Sequence, residues 1–392
     1  MTPAARVQAA IELLDEIIHA AKAKGAPADR LISNYFKQRR YAGSKDRRAV
    51  RELVYSAIRA CGPVPSSGRA AMLRLAELDE TIHALFDGSH HGPANVTSTD
   101  SAASGGIAPD WLVAELAASG VDETEVAALL GRAPLDIRIN TLMADRAGIE
   151  LPEQGESLAV PQALRFPTGT SVEQWPAYRD GQIEVQDHGS QLVCQALGAK
   201  PGETVIDLCA GAGGKTLALA AAMENQGKLL ASDTDRSRLS RLRPRAERAG
   251  AGVIETLLLN PNAELEMLSD HRASADVVLV DAPCSGTGTW RRNPEGRWRL
   301  DKAELSRLTS LQDRLIDIAV SLAKPGGRLG FVTCSLLDAE GKQRVEAAFE
   351  RHKHLKALPI TLPHGRQHGH GVRLTPLHDA TDGFFVAMLG VE

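Results

Sequence analysis

The chain has 392 residues, 43% hydrophobic and 24% charged, with 45 Lys plus Arg against 49 Asp plus Glu and a net charge of −4. That composition excludes a disordered, collagen-like or disulfide-scaffold protein, and the length predicts two or three domains. No run of about 18 apolar residues occurs, so no membrane span is expected. Asp15 and Glu16 sit within the first apolar stretch, which argues against a secretory signal.

The first 60 residues carry a helical repeat, with Val7, Ile11, Leu14 and Ile18 spaced by three or four, then Val50, Leu53, Val54 and Ile58. Between Lys22 and Arg59 stand eleven Lys or Arg against three acids in 38 residues. The densest part is Lys37, Arg39, Arg40, Lys45, Arg47 and Arg48, beside Tyr35, Phe36 and Tyr41. A charge run is often a solvated helix face, but a surplus of this size also suits nucleic acid. The predicted organisation is a helical domain over 1–90 and a Ser/Thr/Gly-rich linker over 91–107. A mixed α+β segment follows over 108–184, then a larger domain over 185–392.

From residue 185 short apolar strands alternate with helices, which predicts an α/β domain with a mostly parallel sheet covered on both faces. Strands are expected at Thr204–Leu208, Lys228–Ser232, Val253–Leu259, Asp276–Val280, Arg328–Thr333 and Phe384–Leu389. Helices are expected at Lys215–Met223, Arg236–Ala249, Lys302–Ala323 and Ala339–Arg351. The first strand runs into a turn of Cys209, Ala210, Gly211, Ala212, Gly213, Gly214 and Lys215. Its glycine spacing fits neither a Walker A loop nor a dinucleotide fingerprint. The remaining ligand is S-adenosylmethionine, with Asp233 at the end of the second strand suited to a ribose diol. Asp235 reads as a helix cap. Lys215 has three readings: a pair with a site carboxylate, a substrate contact, or a solvated helix start.

Five cysteines are present, Cys61, Cys194, Cys209, Cys284 and Cys334, and none forms a C-x-x-C pair. No metal site is expected, not even from the C-terminal histidines His352, His354, His364, His368 and His370, and unpaired thiols fit a cytoplasmic protein. Cys284 and Cys334 each lie just beyond the carboxyl end of a predicted strand, where open α/β sheets bind ligands, and Asp281 precedes Cys284 by three residues. Such a set suits pyrimidine carbon 5 chemistry. Carbon 5 becomes nucleophilic only after a thiolate adds to carbon 6, and an acid near ring N3 stabilises that addition.

DAPCSGTGTWRRNPEGRW, DLCAGAGGKT, VTCS, VQDHGSQL and DIRINT together resemble the RsmB/Sun/Fmu family of RNA cytosine-5 methyltransferases. The stretch around GSKDRR is similar to the NusB-like helical RNA-binding domain of some members. The resemblance implies a Rossmann-like methyltransferase domain, an all-α NusB-like N-terminal domain, and RNA, ribosomal RNA above all, as partner. It implies Cys334 as nucleophile, Cys284 in adduct breakdown and Asp281 at the base. Cys209 through Lys215 with Asp233 and Asp281 would hold the cofactor, joined by Asn260, which stands where the family carries an acid. Arg291, Arg292, Arg297 and Arg299 are expected at the mouth of the site, on RNA phosphates. Three rivals are a non-catalytic RNA assembly factor, a tRNA methyltransferase, and a methyltransferase for protein or small molecules.

Overall fold

The computed structural model describes residues 1–392. The chain forms two compact units, Met1–Gly131 with Thr289–Asp301, and Arg132–Gly288 with Lys302–Glu392.

The first unit is helical. Helices α1 (Pro3–Lys22), α2 (Ala28–Gln38), α3 (Ser44–Ala60) and α4 (Gly68–Ala76) share one apolar core. Thr2 caps α1 by accepting the Ala5 amide, with Pro3 in the first turn where its missing N–H costs nothing. The periodic residues Val7, Ile11, Leu14 and Ile18, and Val50, Val54 and Ile58, are all buried in that core. Residues 91–107, read as a linker, are fastened to the unit: Arg69 grips Asp100 through both carboxyl oxygens at 2.6 and 2.8 Å. Ala103 donates to Ala70 O and Gly62 to Ser104 O. The helices Asp110–Ala118 and Glu123–Ala128, read with the middle segment, belong to this unit.

Residues 289–301 complete the same core. Trp298 packs inside it and donates its indole N–H to Gly62 O at 3.1 Å. Arg297 is fully buried, and its guanidinium donates to Ile58 O and Cys61 O at 2.6 and 2.7 Å, carbonyls at the end of α3, where Ile58 O also accepts the Cys61 amide at 3.3 Å. Arg299 donates to Gly25 O and Ala26 O, and the Glu295 carboxyl accepts the Ala28 amide near the start of α2. Arg297 and Arg299, expected on RNA phosphates, are instead spent on these backbone carbonyls. Arg291 is buried with Arg297, and neither Arg291 nor Arg292 is a free surface cation. Trp290 and Trp298 are buried packing residues.

The second unit holds two sheets. The smaller contains β1 (Leu135–Ile139), β2 (Glu156–Ser157), β3 (Ala163–Phe166) and β4 (Ile183–Val185), antiparallel in the order β2-β3-β1-β4. The larger begins with β5 (Thr204–Asp207), β6 (Lys228–Asp233), β7 (Ile254–Leu258), β8 (Ala275–Asp281) and β9 (Ala323–Thr333). These five strands are parallel, in the order β9-β8-β5-β6-β7. Then come β10 (Leu355–Leu358), β11 (Arg366–His368), β12 (Gly371–Leu374) and β13 (Phe384–Val391), joined to the β9 edge by antiparallel pairing.

The architecture is thus the Rossmann-like α/β domain with a helical N-terminal part that the sequence implies. The helix expected over Arg236–Ala249 is split into Arg236–Leu239 and Leu242–Arg248. Pro244 falls in the first turn of the second piece, the part of a helix that tolerates proline. Of the C-terminal histidines, His352 pairs with Asp317 and His368 with Asp338, both contacts within the fold.

Candidate active site

The site lies at the carboxyl ends of the parallel strands, in a cavity of about 860 Å³. Cys209 after β5, Asp233 at the end of β6, Asp281 and Cys284 after β8, and Cys334 after β9 all line it. The five residues are scattered over more than a hundred positions of sequence, and the crossovers bring their strand ends to one edge.

The glycine turn is built for close backbone approach. Gly211 and Gly213 have φ of 55° and 86°, and a Cβ on Gly213 would stand 2.0 Å from a Leu242 methyl. The Gly211 amide donates to Asp233 Oδ2 at 2.7 Å, and the Asp235 amide to Oδ1 at 2.7 Å, which orients the Asp233 carboxyl. Asp235 caps the next helix through the Ser237 and Arg238 amides, as expected. From the other side Arg245 donates to Ala212 O at 2.6 Å and reaches Glu184 on β4 at 2.7 Å. Gln186 donates to Gly214 O at 3.2 Å. The small sheet therefore braces the turn.

Asp207, at the end of β5, is buried and accepts from the Thr216 hydroxyl at 2.7 Å. Burial pushes its carboxyl up to about 7. Of the residues read as cofactor contacts, Cys209, Asp233 and Asp281 line the cavity, while Ala210 through Gly214 form the turn behind Cys209. Asn260 does not line it; its backbone amide sits 3.1 Å from Met267 Sδ. The wall there is Leu259, Pro261 and Asn262, with Arg314 bonded to both Asn262 and the buried Glu264. No sequence signal singled out Glu264, Arg307 or Arg314, because their helices carry them to the cavity only through the tertiary fold.

Lys215 pairs with a site carboxylate: its ammonium lies 2.7 Å from Asp281 Oδ2 and 5.5 Å from the Phe384 ring centre. Burial opposes that charge, but Asp281 outweighs it and holds the lysine firmly protonated. Cys284 Sγ and Cys334 Sγ lie 3.3 Å apart, both free and both partly exposed. Their two turns are stitched together. The Ser285 hydroxyl meets the Ser335 hydroxyl at 3.2 Å, Thr287 meets Ser335 at 3.1 Å, and the Gly288 amide donates to Cys334 O at 3.0 Å.

Residues 194–390 match the family model described as 16S rRNA methyltransferase RsmB/F. The chain belongs to this family. The probable ribosomal RNA small subunit methyltransferase B of Synechocystis is 35% identical over 299 residues, which cover 72% of this chain and 66% of that protein. The chain thus spans just under two thirds of the length of that relative. Among solved structures, PH0851 superposes with a TM-score of 0.76 at 24% identity, covering 99% of each chain, a likeness of fold. NSun6 from Pyrococcus horikoshii, solved with SFG, does so with a TM-score of 0.60 at 18% identity over 71% of this chain and 97% of its own.

RsmB/F proteins are S-adenosylmethionine-dependent methyltransferases, and the residues here fit that cofactor. The turn after β5 leaves no room for a side chain at Gly213, a strand-end carboxylate is oriented beside it, and the cavity is large enough to take a nucleoside. No helix is long and apolar enough to cross a membrane.

Proposed function

We propose that this protein methylates carbon 5 of a cytosine in RNA, small-subunit ribosomal RNA in particular, through a covalent cysteine adduct. The observation that carries the reading is the pair of thiols 3.3 Å apart in the cavity that also holds Asp233 and Asp281. Cys334 adds to carbon 6 of the ring. Asp281 stands at N3, and the Lys215 ammonium behind it gives up, through the Asp281 carboxyl, the proton that N3 gains as the ring loses aromaticity and returns when the adduct breaks down. S-adenosylmethionine supplies the electrophilic methyl group that carbon 5 then takes. Loss of the carbon 5 proton expels the Cys334 thiolate, and Cys284 assists that step. Asp233 and the turn from Cys209 to Lys215 hold the cofactor.

The exposed basic residues Lys37, Arg40, Lys45, Arg47 and Arg48 of the first unit, with the small sheet of the second, grip the RNA. An unpaired cytosine reaches the cysteines at the least cost in unstacking. The five free cysteines suit work in the cytoplasm.

The test is a denaturing gel of wild type, Cys284→Ala and Cys334→Ala after incubation with unmethylated ribosomal RNA and S-adenosylmethionine. Cys284→Ala alone should retain RNA in a band that survives denaturation. A band with Cys334→Ala instead would reverse the two roles. Methyl transfer by the wild type with no trapped band in either variant would remove the covalent mechanism.

A further inference from the structure

Cys284 and Cys334 are a dithiol, with sulfurs 3.3 Å apart and no bond between them. The turns that carry them run side by side in register. One residue on from the thiols, the Ser285 and Ser335 hydroxyls lie 3.2 Å apart. The Leu336 amide donates to the Thr287 hydroxyl at 2.9 Å, and the Gly288 amide to Cys334 O at 3.0 Å. Main-chain and side-chain bonds thus pin the two turns to each other, and each sulfur always has the other beside it. Sulfurs in a disulfide are about 2 Å apart, so closure asks for only about 1 Å of approach, which side-chain rotation supplies. Both sulfurs border the open cavity, where a small oxidant can enter and water can leave.

The other three cysteines have no such neighbour. Cys61 and Cys194 are buried, and the sulfur contacts they make are to Ala71 O and to Gln186 Nε2. Cys209 lines the cavity without a second thiol against it.

We infer that Cys284 and Cys334 form a reversible oxidation site, at which a peroxide closes a disulfide that stops methyl transfer until a small thiol reopens it. The loss of activity rests on the proposed use of Cys334 as nucleophile; formation of the bond does not.

The reaction runs in two steps. One sulfur attacks the peroxide, the O–O bond breaks, and a sulfenic acid and an alcohol (water, from hydrogen peroxide) result. The second sulfur then attacks the sulfenic sulfur, forms the S–S bond and releases water. The two cysteines give up one electron each, and the peroxide takes up both. A solitary sulfenic acid waits for a second peroxide and passes to the sulfinic acid, which thiols do not reverse. Here the resolving thiol is already in place, so ring closure outruns that loss. Thiol exchange returns both cysteines, and in a reducing compartment such a bond is transient. While it lasts, Cys334 has no thiolate to add to carbon 6 and Cys284 has none to assist elimination.

The first arm of the test needs no RNA. Wild type, Cys284→Ala and Cys334→Ala are treated with hydrogen peroxide, capped with iodoacetamide in denaturant, and digested without reductant for mass spectrometry. Wild type should yield the Cys284 and Cys334 peptides joined and lighter by two hydrogens, with Cys61, Cys194 and Cys209 capped. In each variant the remaining cavity cysteine should pass to the sulfinic acid. In the second arm, oxidised wild type should lose methyl transfer to ribosomal RNA and regain it in dithiothreitol. Sulfinic acid on either wild-type cysteine with no joined peptide overturns the inference. So does a joined peptide in a protein that still transfers methyl groups at the untreated rate, which would also remove Cys334 as nucleophile. If the bond closes and reopens as expected in a protein that never methylates RNA, the RNA reading fails and the oxidation site stands.

Discussion

Residues 37–51 and residues 289–301 are alike in sequence, each a short stretch dense in arginine beside aromatic side chains. In the first, Lys37, Arg40, Lys45, Arg47, Arg48 and Arg51 are exposed on α2, α3 and the turn between them, and four of them share a concavity with only Asp29 opposing. In the second, Arg297 is fully buried and Arg299 is spent on backbone carbonyls of the same unit. The difference lies in what surrounds each stretch. The first lies on amphipathic helices whose apolar faces, Ile32 and Phe36, Val50 and Val54, are already satisfied, so the cations stay in water. The second carries Trp290, Pro294 and Trp298, which must bury, and Arg297 between them is drawn inside to carbonyls at a helix end. Arginine density by itself says nothing about nucleic acid until the neighbouring apolar residues are counted.

That contrast can be broken in three ways. Arg297→Ala should cost the first unit about 3 kcal/mol, since two charge-assisted hydrogen bonds are lost and a void is left in a fully buried place. Thermal unfolding followed by circular dichroism should show the midpoint lower by about 10 °C. An unchanged midpoint would make the buried segment incidental.

Replacing Lys37, Arg48 and Arg51 together by Gln should leave that midpoint where it is. RNA affinity at physiological salt should fall about tenfold, and the slope of log K against log salt should flatten by about 2 to 3. Equal slopes for wild type and variant would take the basic face out of the RNA interface.

Arg39→Ala is the smallest change. Its guanidinium lies 3.6 Å from the Tyr35 ring centre and 3.4 Å from Glu12 Oε2, at a partly exposed position. A stability loss of about 0.5–1 kcal/mol is expected in a denaturant titration. A loss as large as that of Arg297→Ala would erase the distinction between the two stretches.

The legible parts of the fold share one physical trait: their signal is local. β5, β6 and β8 are apolar runs ended by glycine or aspartate, and α1 and α3 bury residues at helical spacing. Cys209, Asp233, Asp281, Cys284 and Cys334 were readable because strand ends can be located in sequence, and strand ends of a parallel sheet meet at one edge. The strands β10, β11 and β12 were not. Arg366–His368 is wholly polar, and it becomes a strand only by pairing with β12. Asn260 was read from its place after the third strand, but the turn there sends Pro261 and Asn262 to the cavity instead.

The core that Trp298 completes has one more consequence, and it concerns time. Translation adds about 5 to 20 residues per second, so the helices of the first unit exist on the order of ten seconds before residues 289–301 leave the ribosome. Through that interval Ile58 O, Cys61 O and Gly62 O lack the donors they meet in the finished molecule, and the groove for Trp298 stands open. The newborn N-terminal helices must wait for a segment encoded well downstream of them. A fragment cut at Gly131 would be held permanently at that unfinished stage.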